Sequence, residues 1–255
     1  MSEPTTERWD LVTEYLEILK LSLMDLLGHE TLTARRNGAG VDVVPLEDRD
    51  RRIDGHEWPA NALTMIGLAR LNNIQFCLET VLADGVPGDF IETGVWRGGA
   101  SIFARAVLRT HDIADRSVWV ADSFEGLPPP EHAHDADSKL HEARHLMVSL
   151  DEVKRNFERY RLLDGQVQFL KGFFRDTLPG LDRRWSVIRL DGDMYDSTIV
   201  ALESLYPSLS PGGFLIVDDF KLEPCRKAVE DYRALHGISE PIERIDWTGV
   251  FWRKR

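Results

Sequence analysis

The sequence predicts an α/β chain built on a doubly wound, mostly parallel sheet of seven strands with helices on both faces. Two observations carry that expectation. From residue 89 onward, short apolar runs alternate with stretches of helical periodicity, and a glycine-rich turn follows the first of those runs. In addition, two later runs end abruptly on acidic residues, as strands do where they leave the carboxyl edge of a sheet.

The elements follow in order. Residues 9–27 place Leu11, Val12, Tyr15, Leu16, Ile18 and Leu19 at helical spacing, which predicts a first amphipathic helix. Residues 29–58 break that period. They are polar, rich in Arg and Asp, and hold Gly38, Gly40 and Gly55, so they predict a long mobile segment, either a plain linker or a lid that orders over substrate. A second helical pattern covers 61–82 and runs into the turn Gly85-Val86-Pro87-Gly88. Strands are then expected at 90–93, 118–122, 167–171, 187–191 and 214–218. Two more near 242–245 and 250–252 would form an antiparallel final hairpin. Helices fill 101–109, 150–162, 196–205 and 225–235. Residues 128–150, punctuated by Pro and largely polar, are expected to order over bound substrate together with 29–58. The chain thus divides into an N-terminal helix and mobile segment, 1–60, and a main domain, 61–255.

A chain of 255 residues with 43% hydrophobic content can bury the core of one such domain. No run approaches the roughly 20 apolar residues of a membrane helix, and the N-terminus lacks a signal-peptide pattern. A cytoplasmic protein with no membrane partner is expected. Cys77 and Cys225 show no metal-ligand spacing and read as reduced structural thiols. A net charge of -12 disfavours nucleic acid and anionic membranes as partners. A small neutral or metal-chelating molecule fits better.

Two acidic signatures stand at strand ends: Asp191-Gly192-Asp193 and Asp218-Asp219. Together they place three or four carboxylates around one point at the sheet's carboxyl edge. Such a cluster suits a hard cation such as Mg²⁺, because a cation or protons must offset the mutual repulsion. The alternative is a set of solvated loop acids. At the other side of the crevice, Glu92-Thr93-Gly94-Val95-Trp96-Arg97-Gly98-Gly99 is a tight turn leading to amides near Ser101 that can hold an anion. It is not G-x-G-x-x-G, which disfavours a dinucleotide pyrophosphate, and no P-loop is present. Asp122, ending the second strand, is placed to accept hydrogen bonds from ribose hydroxyls. A ribose and an amino-acid carboxylate without a diphosphate describe S-adenosylmethionine.

Three other enzyme classes share part of this pattern. His141-Glu142-Ala143-Arg144-His145 matches the H-E-x-x-H spacing of zinc peptidases, but no third ligand stands at a usual distance. A glycosyltransferase using Asp191 and Asp193 leaves Asp218-Asp219 and the glycine-rich turn without a role. A haloacid-dehalogenase-like phosphatase wants Thr or Val where Tyr195 stands. A non-catalytic ligand-binding protein of the same fold is the remaining class.

Read together, the blocks ETGVWRGG from Glu92, VWVADSFEGLP from Val118, KGFFRDTLP from Lys171, RLDGDMYDST from Arg189, LYPSLSPGG from Leu205 and VDDF from Val217 resemble the macrocin O-methyltransferase family. Trp58-Pro59, Thr64-Met65-Ile66-Gly67, PCRKAV from Pro224 and TGVFWR from Thr248 extend the likeness from about residue 54 to the C-terminus. The resemblance implies a class I adenosylmethionine fold, dependence on a divalent metal, and a homo-oligomer, dimer or tetramer. It assigns Asp191, Asp218 and Asp219 to the metal and Asp193 to the general base. It assigns Glu92, Thr93, Gly94, Val95, Ser101, Asp122 and Ser123 to the cofactor, with Met65 and Phe173 lining its adenosyl or methionyl parts. The implied reaction is Mg²⁺-dependent methylation of a hydroxyl on a small natural product, a deoxysugar of a glycosylated antibiotic or else a phenol or catechol.

Overall fold

The computed structural model describes residues 10–37 and 40–255. The first helix, α1 (Leu11–Leu23), begins where the Asp10 carboxylate accepts the Val12 amide at 3.1 Å. Its expected start at Trp9 lies outside the described residues. Leu16, Leu19 and Leu23 form its buried stripe.

The segment expected to be a structureless linker or lid is folded instead. β1 (Leu32–Asn37) and β2 (Gly40–Pro45) form an antiparallel two-stranded sheet, and α2 (Asp50–Ile53) is a single turn behind it. Gly38 lies outside the described residues. The missed signal is the β-branched and alternating run Val41-Asp42-Val43-Val44, which the surrounding charge and glycine obscured. Buried Arg52 holds the unit to the rest of the segment through an ion pair with Glu57 at 2.5 Å and a bond to the Leu32 carbonyl at 3.2 Å. The Ala34 amide donates to the Trp58 carbonyl at 2.8 Å.

α3 (Leu68–Ala83) starts seven residues later than the pattern from Asn61 suggested, because residues 61–67 are spent on a connecting loop. The Leu63 amide donates to the Leu23 carbonyl at 2.8 Å, and the Leu63 carbonyl accepts the Gly99 amide at 2.9 Å. That loop is therefore pinned between the end of α1 and the turn at Gly99, which places Met65.

The main sheet then runs through β3 (Asp89–Thr93), α4 (Gly99–Thr110), β4 (Val118–Asp122), α5 (Leu150–Arg159), β5 (Val167–Lys171), α6 (Phe174–Thr177), β6 (Trp185–Leu190), α7 (Tyr195–Leu205), β7 (Leu209–Val217), α8 (Glu223–His236), β8 (Glu243–Arg244) and β9 (Val250–Arg253). Between β4 and α5, residues 123–149 contain three short 3₁₀ turns and no strand. The strand order is β5-β4-β3-β6-β7-β9-β8, with β3 to β7 parallel and β9 antiparallel to both β7 and β8. β7 begins five residues before the expected 214, since Ser210-Pro211-Gly212-Gly213 forms an irregularity within the strand rather than a turn ahead of it. α5 stops before the expected 162 because Arg161 takes a left-handed conformation, φ 55°.

β6 is buried along its whole length, as a central parallel strand should be. Val187 faces the side packed by Ile74, Phe103 and Phe157, and Ile188 and Leu190 face the side packed by Leu202, Leu205 and Trp252. Each such large side chain contributes roughly 1.5–3 kcal/mol on full burial. Arg189 falls between them on the first face and is equally buried.

The turn after β3 is the tightest point of this sheet. Gly94 has φ +85°, and a Cβ there would stand 1.7 Å from the Asp191 carbonyl oxygen. Gly85 also has a positive φ, +64°, but nothing lies within 4 Å of its Cβ position. Gly85→Ala is expected to cost only the left-handed conformational penalty, about 1–2 kcal/mol. Gly94→Ala should cost a further ~1–3 kcal/mol of steric strain, measured by thermal or urea unfolding of both variants. Equal losses would show that the 191 loop yields freely.

Candidate active site

A cavity of about 380 Å³ opens at the carboxyl ends of β3, β4 and β6. In an open α/β sheet this is where the strand order reverses and where ligands bind. One end is lined by Met65, Gly94, Trp96, Asp122, Ser123 and Phe173. The other end is lined by Asp191, Gly192, Asp193, Asp196 and Ser197, and residues between β4 and α5 supply Leu127, Pro128, Glu131, His132 and Leu146. No described residue of the 29–58 segment lines it, so the expected lid role of that segment has no support at this cavity.

The turn from β3 to α4 is shaped by Trp96 at φ 49° and Gly98 at φ 86°. The Asp122 carboxylate closes it from β4, accepting the Val95 amide at 2.8 Å and the Phe124 amide at 2.7 Å. Burial pushes its pKa up against the pull of those amides. Four residues expected at the cofactor, Glu92, Thr93, Val95 and Ser101, are absent from the cavity lining and sit behind the turn. Ser101 donates its hydroxyl to Glu92, and Glu92 pairs with its cross-strand neighbour Arg189. Burial raises the Glu92 carboxyl to a pKa of about 7, although Arg189 opposes the shift.

Asp191, Asp218 and Asp219 converge, each offering an oxygen within 4.8 Å of the others. Asp193 joins them through its backbone amide, which donates to Asp219 Oδ2 at 3.2 Å. Its φ of 57° is one that Asp tolerates better than most residues. Arg189 reaches Asp218 at 2.5 Å and Asp191 at 2.8 Å, and Arg70 pairs with Asp218 and with Asp246 at 2.9 Å. Burial works upward on Asp218, but the two guanidinium groups overcome it and hold that carboxyl below its usual value. Asp219 gains no such relief: burial, then Asp193 and Asp191, push it well up. Asp193 rises to about 7 through burial and the charges of Asp191 and Asp218.

Six carboxylates, Glu92, Asp191, Asp193, Asp218, Asp219 and Asp246, thus gather near two guanidinium groups, which pair with all but Asp193 and Asp219. The surplus of negative charge and the all-oxygen donor set fit a hard divalent cation.

Neither arginine was singled out from the sequence, nor was Asp246. The signal for Arg189 was present: a charged residue inside Val187-Ile188-Arg189-Leu190, a run that must be buried, requires opposite charge nearby. The H-E-x-x-H spacing does not form a zinc-binding helix face. His141 and His145 lie on two separate 3₁₀ turns, Leu140–Glu142 and Arg144–Leu146, and the His145 carbonyl accepts the Trp96 indole N–H at 2.8 Å.

The strand order and the cavity at its reversal define a class I methyltransferase fold. The sequence matches the macrocin-O-methyltransferase (TylF) family over residues 13–254, and the chain belongs to that family. It is 61% identical over 211 residues to the 8-demethyl-8-(2,3-dimethoxy-alpha-L-rhamnosyl)-tetracenomycin-C 4'-O-methyltransferase of Streptomyces olivaceus, 81% of each chain. It is 48% identical over 247 residues to the mycinamicin III 3''-O-methyltransferase of Micromonospora griseorubida, 94% of this chain and 96% of that one. The solved structure of the O-methyltransferase NovP superposes with a TM-score of 0.88 at 44% identity, covering 95% of this chain and 99% of that one. The protein is an O-methyltransferase of antibiotic biosynthesis.

Arg189→Met leaves Glu92 without its ion-pair partner and Asp218 with Arg70 alone. Breaking a buried pair in this way costs about 3–5 kcal/mol. The stranded carboxyls then hold protons in the folded state at a pH where the unfolded chain has lost them. Their folded pKa values rise above the unfolded ones, so stability is lost as pH rises from the ordinary carboxyl range near ~4. Urea unfolding at pH 5 and pH 8 should show a larger deficit against the native protein at pH 8. A deficit that is constant or smaller at pH 8 would remove Arg189 as the compensating charge.

Proposed function

We propose that this protein moves the methyl group of S-adenosylmethionine to a hydroxyl of a sugar on a glycosylated natural product, with Mg²⁺ required. The observation that carries the reading is the single cavity whose one end is formed by the glycine-rich turn and Asp122 and whose other end is formed by the Asp191 to Asp193 loop. The Streptomyces olivaceus relative is named for methylating a rhamnosyl compound, which supports a sugar acceptor over a phenol.

Asp122 and Ser123 would receive the ribose of the cofactor, and Met65, Trp96 and Phe173 would enclose its apolar parts. Asp191, Asp218 and Asp219 would hold the metal, which when bound supplies orientation of the acceptor oxygens and stabilisation of developing alkoxide charge. Asp193 would take the hydroxyl proton as the acceptor oxygen receives the methyl group that S-adenosylmethionine would supply. Burial and the charges of Asp191 and Asp218 hold the Asp193 carboxyl up, and a cation bound beside it would draw it back toward the ionised form that a base needs. The walls of the cavity fix the line of attack, which supplies much of the rate in a displacement whose electrophile is already activated.

The test is divided by role. Chelation by EDTA should abolish turnover and spare cofactor binding measured by calorimetry. Asp219→Asn should weaken Mg²⁺ binding and recover part of its activity with excess metal. Asp193→Asn should retain metal binding and lose about 10²–10⁴-fold in kcat. Full turnover in metal-free protein would overturn the metal assignment, and a native kcat in Asp193→Asn would overturn the base.

A further inference from the structure

Asp135 lies on the segment between β4 and α5 and is fully buried. No ion pair reaches its carboxylate among the described residues. Its two oxygens accept the backbone amides of Tyr195 at 2.8 Å and Asp196 at 3.0 Å, the first two residues of α7. The local N-cap residue, Met194, offers no side-chain cap. The helix is thus capped from a residue 60 positions away. A carboxylate suits this place because the first amides of a helix lack partners and carry the positive end of its dipole.

Neighbouring contacts seat the same segment. The His132 ring stacks on Tyr195 with centroids 4.2 Å apart and planes 11° apart. Glu131 accepts from Arg175 of α6 at 2.8 Å through both oxygens. Glu131 and His132 also line the cavity. The loop carrying Asp193 runs directly into the capped turn, and the Met194 amide folds back onto the Gly192 carbonyl at 2.5 Å. Between the cap and Asp193 there is one residue of backbone.

We propose that Asp135 is a positioning residue for Asp193: by fixing the first turn of α7, it sets where the Asp193 carboxyl stands, and it does so only when the segment over the cavity is seated. This rests on the reading of Asp193 as the proton acceptor. Seating of the segment and alignment of the base become one event, so the base is aligned only in a covered cavity.

The experiment compares native protein with Asp135→Ala and Asp135→Asn by amide hydrogen exchange, by adenosylmethionine calorimetry, and by kcat and KM on a glycoside acceptor per folded molecule. In Asp135→Ala the amides of Tyr195 and Asp196 should exchange on the order of tenfold faster, the scale of a lost helix cap. Its kcat should fall about 10–100-fold, the scale of a misplaced catalytic group. Cofactor affinity should remain within about twofold, since among the described residues no hydrogen bond or ion pair joins Asp135 to the cofactor-side residues. Asp135→Asn, which keeps one acceptor oxygen, should recover part of both losses, and it carries the test should the alanine variant not fold. Native exchange at the two amides overturns the cap. Faster exchange with a native kcat overturns the positioning role, as does an equal loss of kcat and cofactor affinity. Inactivity of the native protein on every glycoside offered fails the proposed reaction, and the exchange measurement still decides the cap.

Discussion

The carboxyl edge of this sheet can exist as it does because one guanidinium lies inside it. Arg189 sits on the central strand, in register with Glu92 on β3, and reaches Asp218 at the end of β7 and Asp191 at the end of its own strand. An ionised carboxylate in such a place carries a penalty of several kcal/mol unless a partner of good geometry compensates it. Arginine is suited to serve several acids at once, since its planar fork presents five donors and its charge persists under burial. The cation thereby joins three strands at the point where the chemistry is gathered. Ser101, at the opening of α4, completes the ring by donating to Glu92.

Compensation is uneven, and the unevenness separates the acids by task. Asp218 has two guanidinium partners and is held ionised. Asp219 and Asp193 have neither, and burial together with the charges beside them drives both upward. Asp218 is therefore anchored in its charged form, while its sequence neighbour and the loop acid carry carboxyls that, among the described residues, no guanidinium holds. Two adjacent residues, identical in type, differ because successive residues at a strand end face different surroundings.

The strands of the main sheet were legible because each is a short buried run bounded by turn residues, and three of the five parallel ones fall within a residue of their expected limits. The acidic cluster was legible for the same reason: strand ends in a parallel sheet share an edge. Legibility failed where tertiary contact overrides local composition. The strands β1 and β2 lie in a polar, charged stretch, and their order derives from contacts such as Arg52 with the Leu32 carbonyl and Ala34 with Trp58, which no local pattern announces. The same holds for the site. Glu92 and Ser101 have the sequence position of ligand-binding groups, yet their side chains are spent on one another and on Arg189. Asp135 shows the opposite case, a residue in an unremarkable polar stretch that the fold carries to a helix start.

Asp122 has a consequence for how such sites change over time. Its carboxylate lines the cavity and also holds the backbone of the glycine-rich turn through the Val95 and Phe124 amides. The same atoms therefore belong both to the ligand surface and to the skeleton that shapes that surface. A lineage could not trade this acid for another polar group without losing the turn it holds, so the two requirements constrain each other. Across descendants of such a protein, innovation is channelled away from this end of the crevice and toward the parts of its wall whose side chains carry no backbone.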